Sequence, residues 1–276
     1  MNIERIAILG SGSMGGAILA GLLASGFASD KITVSTKSEP SAQKHVSEYG
    51  IQAYSLESTS EANRRAVEGA DVVILAVKPA YIVETLSEVA NALQPGALVI
   101  SVAAGVTNAS MEAAVPGSVR VLRSMPNTPA IVGRAVTGLA SGTRSTEEDL
   151  SKATALFETV GRVVVVDETQ IDALSTISGS GPAYVFYFIE QLTNAALHHG
   201  FTVEQAATMV NDTFLGAAEL IASTGRTPAD LRRQVTSPNG TTERAIATFA
   251  AANLDRLFIE ATEAALARAR ELAAGK

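Results

Sequence analysis

The sequence predicts an α/β protein in two parts: a doubly wound, mostly parallel sheet over residues 1–166, then an all-helical region over 167–276. Three observations carry this. Short β-branched runs alternate with amphipathic helical stretches through the first part. A glycine-rich turn follows the first of those runs at once. After Asp167 the strand signal disappears and only helix-period patterns remain.

Taken in order, strands are expected at 3–9, 32–35, 51–54, 72–77 and 98–102, each a short apolar run of the kind a sheet buried on both faces needs. Helices are expected between them, near 16–25, 42–49, 58–68 and 82–93. Runs at 119–125, 135–140 and 162–166 extend the sheet, with a helix near 146–159 before the last. The remainder reads as helices near 170–177, 182–199, 203–223, 228–235, 242–251 and 254–273. The second of these helices poses a problem of burial. Tyr184, Val185, Phe186, Tyr187, Phe188 and Ile189 are consecutive, so that helix should be buried on most sides. A region of this size does not cover such a surface alone, which points to a homodimer or a higher oligomer of dimers.

Composition narrows the function classes. With 47% hydrophobic and 18% charged residues, the chain has an ordinary globular make-up. No apolar stretch approaches the ~20 residues of a membrane helix. The N-terminus enters a strand pattern directly, without signal-peptide architecture, so a cytoplasmic location is expected. The absence of cysteine excludes disulfides, thiolate nucleophiles and Cys-ligated metal, and it fits a reducing compartment. A net charge of −7 argues against broad binding to nucleic acid or anionic membrane.

Ile6–Leu9 runs into Gly10-Ser11-Gly12-Ser13-Met14-Gly15, and a helical pattern follows. This is G-x-G-x-x-G between strand and helix, the Rossmann-type dinucleotide turn. Gly10 permits the tight turn, Gly12 lets a pyrophosphate approach the backbone, and Gly15 allows close helix–strand packing, with Ser13 and Met14 of the same turn also expected to bind the cofactor. A site for NAD usually places Asp or Glu at the end of the second strand, roughly 20 residues on. Here that place reads Ser35-Thr36-Lys37-Ser38: hydroxyls and a lysine, with Glu39 next. These suit a 2′-phosphate, so NADPH is expected, with NADH possible. Ala76, Val77, Lys78 and Pro79 end the fourth strand and Ala103, Ala104 and Gly105 follow the fifth, where loops meet the ligand crevice. Small residues at 103–105 leave room for a nicotinamide ring or serve packing.

The segment 235–242, Val-Thr-Ser-Pro-Asn-Gly-Thr-Thr, interrupts the C-terminal helices with a proline, an Asn-Gly pair and neighbouring hydroxyls. A helical pattern resumes at once, so backbone N–H groups around Gly240–Thr242 should point outward at a helix N-terminus, where a carboxylate is attracted. A plain Pro/Asn/Gly turn with a Thr N-cap has the same residues.

Several segments together resemble the pyrroline-5-carboxylate reductase family, in order and spacing and over essentially the whole chain. They are residues 10–16, 76–79, 101–105, Arg123-Ser124-Met125-Pro126-Asn127-Thr128-Pro129, Ser178-Gly179-Ser180-Gly181-Pro182-Ala183-Tyr184 and 235–242. The resemblance implies reduction of the cyclic imino acid pyrroline-5-carboxylate to L-proline, the last step of proline biosynthesis. It implies a Rossmann domain joined to a helical dimerisation domain, with the active site at their junction. It further implies that Ser237, Gly240 and Thr241 hold the substrate carboxylate and that Thr242 hydrogen-bonds the ring nitrogen. Asn127-Thr128-Pro129 and Ser180-Gly181-Pro182 would line the crevice. The family more often has Gly where Asn239 stands; Asn also tolerates positive φ.

Hydride addition to C=N needs orientation in a dry pocket more than a strong general acid, because a protonated imine is already electron-poor. A β-hydroxyacid dehydrogenase has a similar architecture but uses a lysine from its helical domain, and after Lys152 this chain has only Lys276. His198 and His199 sit at a helix end and read as a solvated pair; His45 reads as a surface residue. A dinucleotide sensor without catalysis would need no carboxylate trap at 237–242.

Overall fold

The computed structural model describes residues 3–273. An eight-stranded sheet is built from β1 (Ile6–Leu9), β2 (Ile32–Thr36), β3 (Gln52–Ser55), β4 (Val72–Leu75), β5 (Leu98–Ser101), β6 (Arg120–Met125), β7 (Ala135–Ser141) and β8 (Gly161–Val165). Its order is β3-β2-β1-β4-β5-β6-β7-β8. Only the β6–β7 pair is antiparallel. The strand order reverses between β1 and β4, and a doubly wound sheet opens its ligand crevice at such a switch point.

The strands read as unbroken apolar runs because both faces are covered. Ile6 and Ile8 go to one core with Ile18, Leu22, Ile74, Ile100 and Phe157. Ala7 and Leu9 go to the other with Leu75, Ile82, Leu86, Val99 and Val121. The covering helices are α1 (Ser13–Ala24), α2 (Glu39–Tyr49), α3 (Ala62–Val67), α4 (Ile82–Val89), α5 (Asn108–Ala113) and α6 (Glu147–Phe157). The sequence pattern misses α5, which anchors through Met111 and starts at Thr107, whose side chain accepts from the Ser110 N–H. Six residues are too few for helical periodicity to show.

The compact unit that contains the sheet does not stop at 166. It runs to Ser180 and takes in the last helix from Leu266 onward. Residues 167–180 stay with the sheet for identifiable reasons. In α7 (Ile171–Leu174), Ile171 is fully buried and Leu174 lies over Gly138 of β7. Buried Arg123 of β6 pairs with Asp172 and faces Glu168, whose carboxylate also accepts from the Asn108 N–H at 2.6 Å. A single π turn, Ser175–Gly179, follows, closed by Ser180 N–H to Ser175 O at 2.8 Å.

The second unit, residues 181–265, is helical: α8 (Gly181–His198), α9 (Val203–Thr224), α10 (Pro228–Gln234), α11 (Thr241–Ala251) and the first part of α12 (Leu254–Ala273). As the sequence pattern of α8 leads one to expect, one chain does not cover this unit's apolar surface. Within one chain α8 has no buried residue; Phe186 is 66% and Tyr187 60% exposed. Six consecutive apolar side chains surround the helix, whereas its neighbours cover part of the circumference, with Phe188 stacked on Phe258 at 5.8 Å. Among the described residues no helix is long and apolar enough to cross a membrane.

Gly161 opens β8 at φ +155, and a Cβ there would collide with the backbone of Ala135. Gly161→Ala should therefore lower unfolding stability by about 1–3 kcal/mol in a urea titration. An unchanged midpoint would show that the β7–β8 entry relaxes freely.

Candidate functional site

The glycine turn is a crowded backbone crossing with one open position. Gly10 sits at φ +92, donates its N–H to Ser35 O at 3.0 Å, and would place a Cβ 2.8 Å from Ala76 O. A Cβ on Gly15 would collide with the Gly10 carbonyl. Gly12 differs: a Cβ there would meet nothing within 4 Å, and both Gly12 and Ser13 are exposed. Gly12 is also the N-cap of α1, with no side-chain cap and no acid in the first turn. Free N–H groups, the positive helix end and open space beside Gly12 together fit a dinucleotide pyrophosphate. Met14 packs onto the core and fixes the start of the helix.

The neighbouring crest is assembled from the strand ends. Ala76 N–H donates to Leu9 O at 2.8 Å, after which Ala76 and Val77 leave the sheet half-buried. Lys78 is exposed ahead of the turn Pro79–Tyr81. Ala103 is buried with its N–H on the Ser101 hydroxyl at 3.1 Å; Ala104 is exposed, and Gly105 turns the chain at φ +75.

At the end of β2 the expected hydroxyls divide. Ser35 is 2% exposed and donates to Asn63 Oδ1 at 2.7 Å, and Asn63 donates on to Glu88 at 3.0 Å. The Ser35 side chain is thus an internal prop, at odds with the sequence expectation that it faces the cofactor. Buried Thr36 donates to Ser38 O at 2.8 Å and shapes the turn. Lys37 is exposed, with no ion pair among the described residues, and Ser38 shares a 2.9 Å hydroxyl contact with Ser41. The Ser58 hydroxyl bonds to the Glu39 carboxylate and holds its pKa below the ordinary value. Asn63 was invisible to sequence reasoning because a buried amide in a short helix carries no periodic signal.

The segment 235–242 is resolved into a loop and a helix start. Asn239 adopts φ +60, as its side chain allows. The N-cap of α11 is Gly240, not a threonine, and no side chain caps it. A Cβ on Gly240 would lie 2.9 Å from Ser237 O, which accepts the Gly240 N–H at 3.0 Å. Ser237 and Thr241 are exposed, and Thr242 is half-buried in the first turn. Glu243 reaches back to the Asn239 N–H at 2.8 Å. Its spacing from Gly240 is that of a capping box with the hydroxyl residue replaced by glycine, a signal that was present in the sequence. Of the histidines, His198 and His199 are exposed with rings 5.7 Å apart. His45 is not a plain surface residue: it is half-buried on Tyr49 at 6.0 Å, and burial pushes its pKa down.

The sheet order, the switch point and the glycine turn define a dinucleotide-binding α/β protein with a helical C-terminal region. The family profile described as "Pyrroline-5-carboxylate reductase dimerisation" matches residues 168–272, and that described as "NADP oxidoreductase coenzyme F420-dependent" matches 5–105. A pyrroline-5-carboxylate reductase of Pseudomonas aeruginosa is 39% identical over 274 residues, 99% of this chain and 98% of that protein. A solved pyrroline-5-carboxylate reductase from Coxiella burnetii superposes with a TM-score of 0.92 at 37% identity, over 98% of this chain and 99% of that one. The Plasmodium falciparum enzyme solved with NADP bound has the same fold, with a TM-score of 0.83 at 24% identity, covering 99% of this chain and 98% of that one. The chain belongs to the pyrroline-5-carboxylate reductase family.

Because the space beside Gly12 is open, Gly12→Ala should fold with an unchanged melting temperature yet weaken nucleotide binding about tenfold, by crowding the pyrophosphate approach. Fluorescence titration with NADPH checks this, and undiminished affinity would place the phosphates elsewhere.

Proposed function

We propose that NADPH, rather than NADH, is the preferred hydride donor and that the 237–242 segment holds the imino acid. The reaction is that of the family: reduction of pyrroline-5-carboxylate to L-proline with NAD(P)H. The supporting observation for the substrate end is the uncapped N-terminus of α11, flanked by Ser237, Thr241 and Thr242. Ser237, Gly240 and Thr241 take the substrate carboxylate through hydroxyl and backbone N–H groups, which the helix dipole assists. Thr242 offers its hydroxyl to the ring nitrogen.

When bound, the reduced nicotinamide supplies the hydride. The protein's own work is to orient the imine and exclude water. A carboxylate fixed at one end and a nitrogen fixed at Thr242 leave one ring carbon to present. The lack of a conventional acid–base pair agrees with this chemistry, since a protonated imine accepts hydride without further activation.

For the nucleotide, the bound pyrophosphate is assigned to Gly10, Gly12, Ser13, Met14 and Gly15. The crest residues Ala76, Val77, Lys78, Pro79, Ala103, Ala104 and Gly105 are assigned to the nicotinamide side. Lys37 carries the 2′-phosphate preference, helped by Ser38; Thr36 shapes that turn, and Ser35 supports it from beneath. Functionally, residues 1–166 bind nucleotide and 167–276 bind substrate and dimerise. The exposed flank of α8 supports a homodimer or a multiple of one.

Loss of NADPH absorbance with pyrroline-5-carboxylate tests the whole reading. Thr242→Ala should lower kcat/KM by about tenfold, the worth of one hydrogen bond made in the transition state, with NADPH affinity unchanged. Equal loss of cofactor affinity would move Thr242 to the nucleotide site. Lys37→Ala should weaken NADPH about tenfold and leave NADH unaffected; indifference to the 2′-phosphate would remove Lys37 from the assignment.

A further inference from the structure

The stretch 167–180 lies ahead of the helical unit yet is fastened to the sheet by polar groups, one of them Asn127, which the resemblance implies only as part of a crevice wall. Asn127 is the most exacting of these. It is 8% exposed and stands between the end of β6 and the short turn Thr128–Val132. Its Oδ1 accepts the Val136 N–H of β7 at 2.9 Å, and its Nδ2 donates to the Ser178 carbonyl at 2.9 Å. One amide therefore joins the sheet crest to the π turn through an acceptor and a donor that are not interchangeable.

The turn itself is an irregularity that needs support. A π turn inserts one residue into the helical ladder and costs hydrogen-bond geometry, and such turns recur at functional sites. In this one the carbonyl of Ser175 takes the Ser180 N–H, and the Ser178 hydroxyl donates to Leu174 O at 3.1 Å. Gly179 is packed close: a Cβ there would lie 2.9 Å from Ser175 Oγ and 3.3 Å from Met125 Cε, two residues before Asn127. The turn is thus pressed onto the β6 crest, and Ser180, the residue that follows it, takes its place from that seating.

We propose that Asn127 is a positioning residue for the reduction: through the Ser178 carbonyl it sets the π turn and thereby Ser180, without touching substrate or cofactor itself. This rests on the proposed function and on the family resemblance, which implies that Ser180-Gly181-Pro182 lines the crevice. Asn127→Asp is the discriminating variant, because a carboxylate keeps the acceptor for Val136 and loses the donor for Ser178. The expected result is amide exchange in 175–180 faster by about tenfold through local opening. Turnover of pyrroline-5-carboxylate should fall about tenfold in kcat through misplacement, with NADPH affinity retained; the melting temperature falls because a buried carboxylate then faces a carbonyl, so kcat is read well below both midpoints. Unchanged exchange overturns the proposal. So does faster exchange with wild-type kcat, since that is what a merely structural bond would give.

Gly179→Ala provides a second route if the aspartate variant fails to fold. It displaces the same turn from Met125 without altering Asn127, and the same fall in kcat at constant NADPH affinity is expected; full turnover would overturn the proposal. Wild-type protein that binds NADPH but does not reduce the imine would instead refute the reaction assigned above. The exchange rates would still decide whether Asn127 seats the turn.

Discussion

The nucleotide half depends on how closely three pieces of backbone approach where β1 ends. Gly10 passes the carbonyl of Ala76, Gly15 passes the carbonyl of Gly10, and neither crossing has room for a Cβ. That contact aims α1 at the switch point between β1 and β4, with its uncapped N-terminus turned to the open space at Gly12. The sheet then carries the consequence outward. With β1 fixed, β4 and β5 deliver residues 76–79 and 101–105 to the same edge, and β2 delivers 35–38 on the other side. The uncapped helix end at this edge suits an anion through backbone geometry, without a basic surface on a chain of net charge −7.

The helical unit obeys a different constraint. The sheet has covers on both faces and buries its central strands, β1, β2, β4 and β5, completely; α8 has partial cover and leaves large apolar side chains in the open. Contiguous exposure of this kind marks an interaction surface, and the match of residues 168–272 to a dimerisation profile gives it a natural occupant, a second copy. The same argument explains why the 235–242 loop is so ordered in sequence terms. Asn239 at φ +60, the Glu243 bond to its N–H and the tight Ser237–Gly240 turn hold the loop from within, in a unit with few buried side chains to brace it.

Much of this was legible in the sequence, and the exceptions follow a physical rule. Long periodic segments were readable: all eight strands and the long helices lie where their patterns place them, because burial on two faces or on one stripe leaves a period. The glycine turn was readable because each glycine answers a steric demand. What escaped were features without periodicity: α5, the π turn and the Arg123–Asp172 pair that keeps 167–180 with the sheet. For α8, the run of apolar residues signalled a surface larger than one chain covers, and within one chain that surface is open. The Ser35 hydroxyl shows a further limit. Composition at a strand end reveals a hydroxyl but not its direction, and this one points inward to Asn63.

The direction of that hydroxyl changes what can decide between the two nicotinamides. With Ser35 facing inward and Thr36 bonded to the Ser38 carbonyl, hydroxyl donors contribute less to a 2′-phosphate than the sequence suggests. Three charges then stand at this turn, Lys37 against Glu39 and Glu57, whose carboxylate accepts the Glu39 N–H at 2.9 Å. Lys37 is exposed and has no ion-pair partner among the described residues, so its ammonium is available. Glu39, a carboxylate like its neighbour, would repel a phosphate. Yet Glu39 is the first residue of α2, beside that helix's positive end, and its carboxylate accepts from Ser58. Its charge is partly compensated where it stands, whereas that of Lys37 is not. Under the proposed assignment it is Lys37, without an ion pair among the described residues, that would meet a 2′-phosphate.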